Sequence, residues 1–181
     1  MHYVILDLEA TCWDQWDRRD NETIEIGALL IDEEQNILSE FEQFVRPLKY
    51  PALSTFCTDL TSIQQSDVDQ APYFHTAIEA FKNWFGYGQH DYLLCSWGFY
   101  DRKQFESDCQ LHGLPTDWLH PHISLKHQYA QIKGLRRPIG MKRALAQEGL
   151  PLEGFHHRGI DDARNISKIF LRYFNDWQPM P

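Results

Sequence analysis

An apolar run opens the chain at Tyr3-Val4-Ile5-Leu6 and continues through Leu8 and Ala10, interrupted by acids at Asp7 and Glu9. That pattern predicts a buried strand. A polar, charged stretch over residues 13–23 reads as a loop, and residues 24–31 as a second apolar strand. Residues 32–36 supply a turn, and residues 37–45 alternate well enough for a third strand, closed by Pro47. Successive strands with short connections predict an antiparallel meander. Short helical pieces fill residues 51–72. A long amphipathic helix then opens at Ala71-Pro72, carries Phe74, Ala77, Ile78, Phe81 and Phe85 at helical spacing, and ends at Gly86.

Residues 92–97 form a short buried run that Gly98 breaks, and a helix over 101–111 is stopped by His112-Gly113. Residues 123–131 fit an edge strand, a helix, or one running into the other. A short helix over 140–148 ends at Gly149, and a strong one over 162–174 puts Ile166, Ile169, Phe170 and Tyr173 on one face. The expectation is a single α/β domain over residues 1–181 with a mixed sheet.

Composition narrows the class. At 181 residues and 43% hydrophobic content, the chain can bury roughly 70% of its unfolded surface without cross-links. No apolar run approaches the ~20 residues that span a bilayer, and no secretion signal opens the chain, so a soluble, cytoplasmic protein is expected. Cys12, Cys57, Cys95 and Cys109 form no C-x-x-C pair and read as reduced structural thiols. A net charge of −9 argues against a binder that holds nucleic acid on a broad basic surface. It leaves room for an enzyme that grips one strand end through metal ions and a local basic patch. Lys133, Arg136, Arg137, Lys142 and Arg143 are the densest basic run, readable as a track for phosphates or as a solvated face.

The candidate chemistry starts with Asp7 and Glu9. Residues two apart on a strand share a face, so these carboxylates project side by side and repel. No Lys or Arg precedes Arg18 to neutralise them, and an all-oxygen donor set suits Mg²⁺ or Mn²⁺. The plain alternative is a wet edge strand. Asp101 follows the fourth strand at a helix start, where a helix N-cap is its ordinary role. Asp161 and Asp162 open the last helix, as caps or ligands. His156 and His157 each lie five residues upstream of one of them, an offset that works if the His stays in the loop.

These residues, in this order, resemble the DEDDh 3′→5′ exonucleases, which implies an RNase H-like fold with a mixed five-stranded sheet flanked by helices. The finer matches are Asp7-Leu8-Glu9-Ala10-Thr11-Cys12, Leu53-Ser54 with Phe56-Cys57 and Leu60-Thr61-Ser62-Ile63, Ser96-Trp97-Gly98 before Asp101, and residues 157–166. They resemble the branch of Eri-type histone-mRNA and small-RNA exonucleases and KapD-like proteins. The resemblance implies two cations, Mg²⁺ or Mn²⁺, held by Asp7, Glu9, Asp101 and Asp162, and His157 as the base that deprotonates the attacking water. It selects His157 and Asp162 over His156 and Asp161, leaving Asp161 as a cap or supporting acid. It also implies that Phe56 and Trp97 stack on terminal bases, with core packing as the alternative, and that backbone near Ala10 and Thr11 meets the terminal sugar. The implied substrate is a single-stranded RNA or DNA 3′ end, RNA favoured. No separate RNA-binding domain is legible beside it. A DNA proofreading or repair exonuclease and an inactive 3′-end-binding module are the rivals.

Overall fold

The computed structural model describes residues 1–14 and 20–178. Residues 15–19 of the expected loop and residues 179–181 lie outside the described residues. Three strands come first, β1 (His2–Ala10), β2 (Thr23–Ile31) and β3 (Ile37–Phe44). Helices α1 (Thr55–Thr61), α2 (Gln65–Asp69) and α3 (Phe74–Phe85) lead to β4 (Tyr92–Ser96) and α4 (Tyr100–His112). β5 (His122–Ser124), α5 (Leu125–Ile132), α6 (Met141–Glu148) and α7 (Gly159–Arg172) complete the order. The sheet runs β3-β2-β1-β4-β5. β1, β2 and β3 pair antiparallel as the expected meander, while β4 and β5 join parallel to β1. The stretch over 123–131 is a strand that runs directly into a helix.

The alternation along β1 sets the two faces. Val4, Leu6 and Leu8 point into a layer with Phe74, Phe81 and Phe85 of α3 and Phe105 of α4. Ile5 points the other way, toward Ile160, Ala163, Ile166 and Phe170 of α7. Because the strand period is two, Asp7 and Glu9 fall on the α7 face, one and two steps beyond Ile5.

α7 starts at Gly159, three residues before the expected 162. The reason is a backbone approach that only glycine permits. A Cβ on Gly27 would lie 2.1 Å from the carbonyl carbon of Gly159, and one on Gly159 would come within 3.0 Å of Asp7 O. Helix and sheet therefore touch backbone to backbone where the acids emerge. Arg158 is the N-cap residue, so neither Asp161 nor Asp162 caps the helix as expected. Both lie in its first turn, where the positive end of the helix dipole favours a carboxylate. Asp101 is likewise inside the first turn of α4, behind the cap residue Phe99.

Candidate active site

A cleft of about 390 Å³ opens where β1 and β4 end and α7 begins. Asp7, Glu9, Asp101, Asp162, His156 and His157 line it, together with Trp97, Tyr100, Lys126 and Lys142. Single carboxylate oxygens of Asp7, Glu9 and Asp162 lie within 4.8 Å of one another. Asp101 joins them in the cleft from α4, its Oδ1 accepting the Leu8 N–H at 3.2 Å. Four acids from three separate elements thus line one cleft.

Their proton affinities show the cost of that meeting. Burial first, then the charges of Asp101, Glu9, Asp162 and Glu25, push the Asp7 carboxyl well above its ordinary range. Burial with Glu25, Asp162 and Asp101 raises Glu9 to about 9. Asp101 is raised to about 6 by burial, against backbone hydrogen bonds and the Ser96 hydroxyl that favour its anion. Among the described residues, no Lys or Arg forms an ion pair with any of these four acids. Crowded oxygens without a protein cation fit a hard divalent cation, with Asp7, Glu9, Asp101 and Asp162 as its holders.

The histidine pair sits at the rim. His156 Nδ1 is 2.9 Å from Asp162 Oδ2, and the His157 N–H donates to the same oxygen at 3.0 Å. The two rings stack, centroids 4.0 Å apart. His157 has φ 69°, a left-handed conformation uncommon for a residue with a side chain. Burial and the neighbouring His156 lower its pKa, partly opposed by Asp162, so its imidazole is neutral near pH 7. Asp161 plays a different part: its Oδ2 accepts the Phe155 N–H at 2.8 Å, and its Oδ1 pairs with Arg164 at 3.0 Å.

The expected substrate contacts are dispersed. Trp97 edges the cleft but is 8% exposed, packs in the core, and donates its indole N–H to Ile139 O at 3.1 Å. Phe56 is 40% exposed on α1 and outside the cleft lining. Thr11 N–H donates to Glu22 O at 2.8 Å, and Ala10 O accepts the Cys57 thiol at 3.7 Å. No free amide remains at Thr11 for a sugar. Of the basic run, Lys142 reaches the cleft, whereas Lys133 is held by Glu148 at 3.1 Å.

Sequence reasoning missed Glu25 and Arg158. Glu25 is buried, pairs with Glu9 across the β1–β2 ladder, and forms an ion pair with Arg158 at 3.2 Å. The available signal was an acid inside an otherwise apolar strand, the same signal that singled out Asp7.

The family model described as exonuclease (RNase_T) matches residues 4–170. ERI1 exoribonuclease 2 of Xenopus laevis is 29% identical over 97% of this chain and 28% of its own length. The 3'-5' exonuclease Snipper of Drosophila melanogaster is 32% identical over 96% of this chain and 70% of its own length. The nuclease domain of 3'hExo, a DEDDh family member solved with rAMP, superposes with a TM-score of 0.91 at 28% identity. That match covers 99% of this chain and 94% of the solved one. The chain spans less than a third of the Xenopus laevis relative it matches.

Proposed function

Because this chain belongs to the exonuclease (RNase_T) family, we propose that it removes nucleotides from the 3′ end of single-stranded nucleic acid, RNA in preference to DNA, releasing nucleoside 5′-monophosphates. The observation that carries this reading is the convergence of Asp7, Glu9 and Asp162 oxygens within 4.8 Å, in the cleft that Asp101 and His157 share. RNA is favoured because the relatives include exoribonucleases and the matched 3'hExo nuclease domain was solved with rAMP.

Two Mg²⁺ or Mn²⁺ ions on these carboxylates would supply an activated water and offset charge on the phosphoryl and leaving oxygens. His157 accepts the proton of the attacking water, a role for which its lowered pKa keeps it free at neutral pH. Asp162 steadies the loop that carries it through the His157 N–H. The 3′-oxygen leaves and the phosphate stays with the released nucleotide. Lys126 and Lys142 on the cleft wall favour the polyanion, while the cleft edge of Trp97 and exposed Phe56 offer apolar surface to the terminal bases. Unpaired thiols at Cys12, Cys57, Cys95 and Cys109 fit a reducing, cytoplasmic setting, and among the described residues no helix is long and apolar enough to cross a membrane.

The test uses 5′-labelled RNA and DNA oligonucleotides of matched sequence. A ladder shortening from the 3′ end in Mg²⁺ or Mn²⁺, faster on RNA and absent in EDTA, is the expected result. Internal cleavage, or hydrolysis that persists in chelator, sinks the reading.

A further inference from the structure

The reaction as described leaves one fully buried carboxylate without a role. Glu25 is 0% exposed, yet it is not among the residues that line the cleft. Its Oε2 accepts the Gly159 N–H at 3.0 Å and Arg158 Nε at 3.2 Å, and its Oε1 accepts Arg158 Nη2 at 3.3 Å. Arg158 continues to Glu42 Oε1 at 3.0 Å, its guanidinium carbon 5.3 Å from the centre of the Phe44 ring. Both oxygens of Glu25 are therefore engaged by protein donors, a guanidinium among them, whereas among the described residues no Lys or Arg pairs with the four acids of the cleft.

Those donors are the two residues that directly follow His157. Gly159 is the first residue of α7 and Arg158 its cap. On the opposite flank, the His157 N–H is tied to Asp162 Oδ2 at 3.0 Å. A left-handed φ of 69° at His157 is uncommon for a residue with a side chain and persists where the surroundings impose it. Glu25 anchors the imposing side, on β2, while Gly27 on the same strand receives the Gly159 backbone.

We propose that Glu25 is a positioning residue for hydrolysis: through Arg158 and the Gly159 N–H it holds the His157 imidazole in line with the carboxylate cluster. The inference rests on the exonuclease reading. Misplacing a reacting group by about 1 Å costs on the order of a hundredfold in rate. Loss of the clamp should therefore lower kcat while leaving the grip on the strand intact.

The test is steady-state hydrolysis of a labelled RNA oligonucleotide by the full chain in Mg²⁺. Glu25→Gln keeps an acceptor for Gly159 but loses the charge that pairs with Arg158. It should lower kcat about 10–100-fold, with KM moving less than about threefold. In a His157→Ala background the same substitution should change kcat by less than about twofold, because the group it positions is gone. Arg158→Gln gives the same coupling by a route that leaves β2 unaltered, and it decides the matter if Glu25→Gln does not fold. Penalties that multiply in the double variants, or a kcat unchanged in the single ones, overturn the positioning role. A wild-type chain without exonuclease activity in the same assay overturns the reading beneath it as well.

Discussion

At the end of β1, Asp7, Glu9, Asp101 and Asp162 crowd one cleft with no Lys or Arg bonded to them among the described residues. At the end of α6, Glu148 is half-buried, its side chain 7% exposed, but stands between Lys133 at 3.1 Å and Arg172 at 3.2 Å. The Tyr129 hydroxyl donates to it at 2.8 Å. Burial pushes Glu148 up as it does Asp7, Glu9 and Asp101. Here donors from Tyr129, Tyr173, Lys133 and Arg172 outweigh burial and bring its pKa down to about 2. Glu9 goes the other way, to about 9. The same functional group is driven in opposite directions: burial and neighbouring acids raise Glu9, while hydrogen-bond donors outweigh burial at Glu148. A carboxylate satisfied by its own chain holds the fold together. A set crowded together without a Lys or Arg partner is destabilising by itself, a charge pattern that a divalent cation would relieve.

The sharpest way to break the contrast is to remove one acid from each region. Asp7→Ala or Asp162→Ala should lower kcat by orders of magnitude while far-UV circular dichroism stays that of the parent. Near-normal rates would show that these are not the ligands. His157→Ala should cost about 10²–10⁴-fold, and His156→Ala distinctly less. The reverse order would pass the base role to His156, whose ring is the one bonded to Asp162.

Smaller effects refine it. Saturating Mg²⁺ should raise the melting temperature relative to EDTA, since ligand at about 100 Kd contributes about 2.7 kcal/mol. The Asp7→Ala variant should lose that rise, and a rise that persists would place the cations elsewhere. Glu148→Gln should lower stability by about 1–3 kcal/mol yet leave kcat and the Mg²⁺ response unchanged. Its pH signature follows from a folded-state pKa below the unfolded one. The Glu148 contribution is complete above pH ~4.5 and disappears as pH falls toward about 2, so urea titrations of parent and variant should converge in acid. A gap that widens in acid contradicts the ion-pair account. Smallest of all, Lys142→Ala should raise KM a few-fold and flatten its salt dependence by about one phosphate contact. Lys133→Ala, whose ammonium is held by Glu148, should not alter that slope.

The β1 acids were legible because their signal is local. A D-x-E in an apolar strand puts both side chains on one face whatever the rest of the chain does. The histidine register was harder, since His156 and His157 stand at the same offset from Asp161 and Asp162. A resemblance chose His157 and Asp162, and the structure brings both histidines to Asp162, one by its ring and one by its backbone. Trp97 and Phe56 show the limit of composition: an aromatic residue in a motif carries no mark of whether its face packs inward. Trp97 does so, with its indole N–H taken up by Ile139. The helix start was missed because Asp161 and Asp162 look like caps. The true boundary is fixed by Gly27 and Gly159, which meet across a separation that no short-range pattern encodes.

From the order of its residues alone, this chain determined its strands and helices, the shared face of Asp7 and Glu9, and the kinds of side chain available for hydrolysis. Each of these depends on neighbours a few positions away, where backbone periodicity dictates the outcome. Which acids gather in one cleft, which form ion pairs, and which contacts flank His157 were decided only when β2 and α7 came together, joining residues such as Glu25 and Gly159 that lie 134 positions apart. Charge in a folded protein is governed by what stands within a few ångströms, and packing supplies those neighbours.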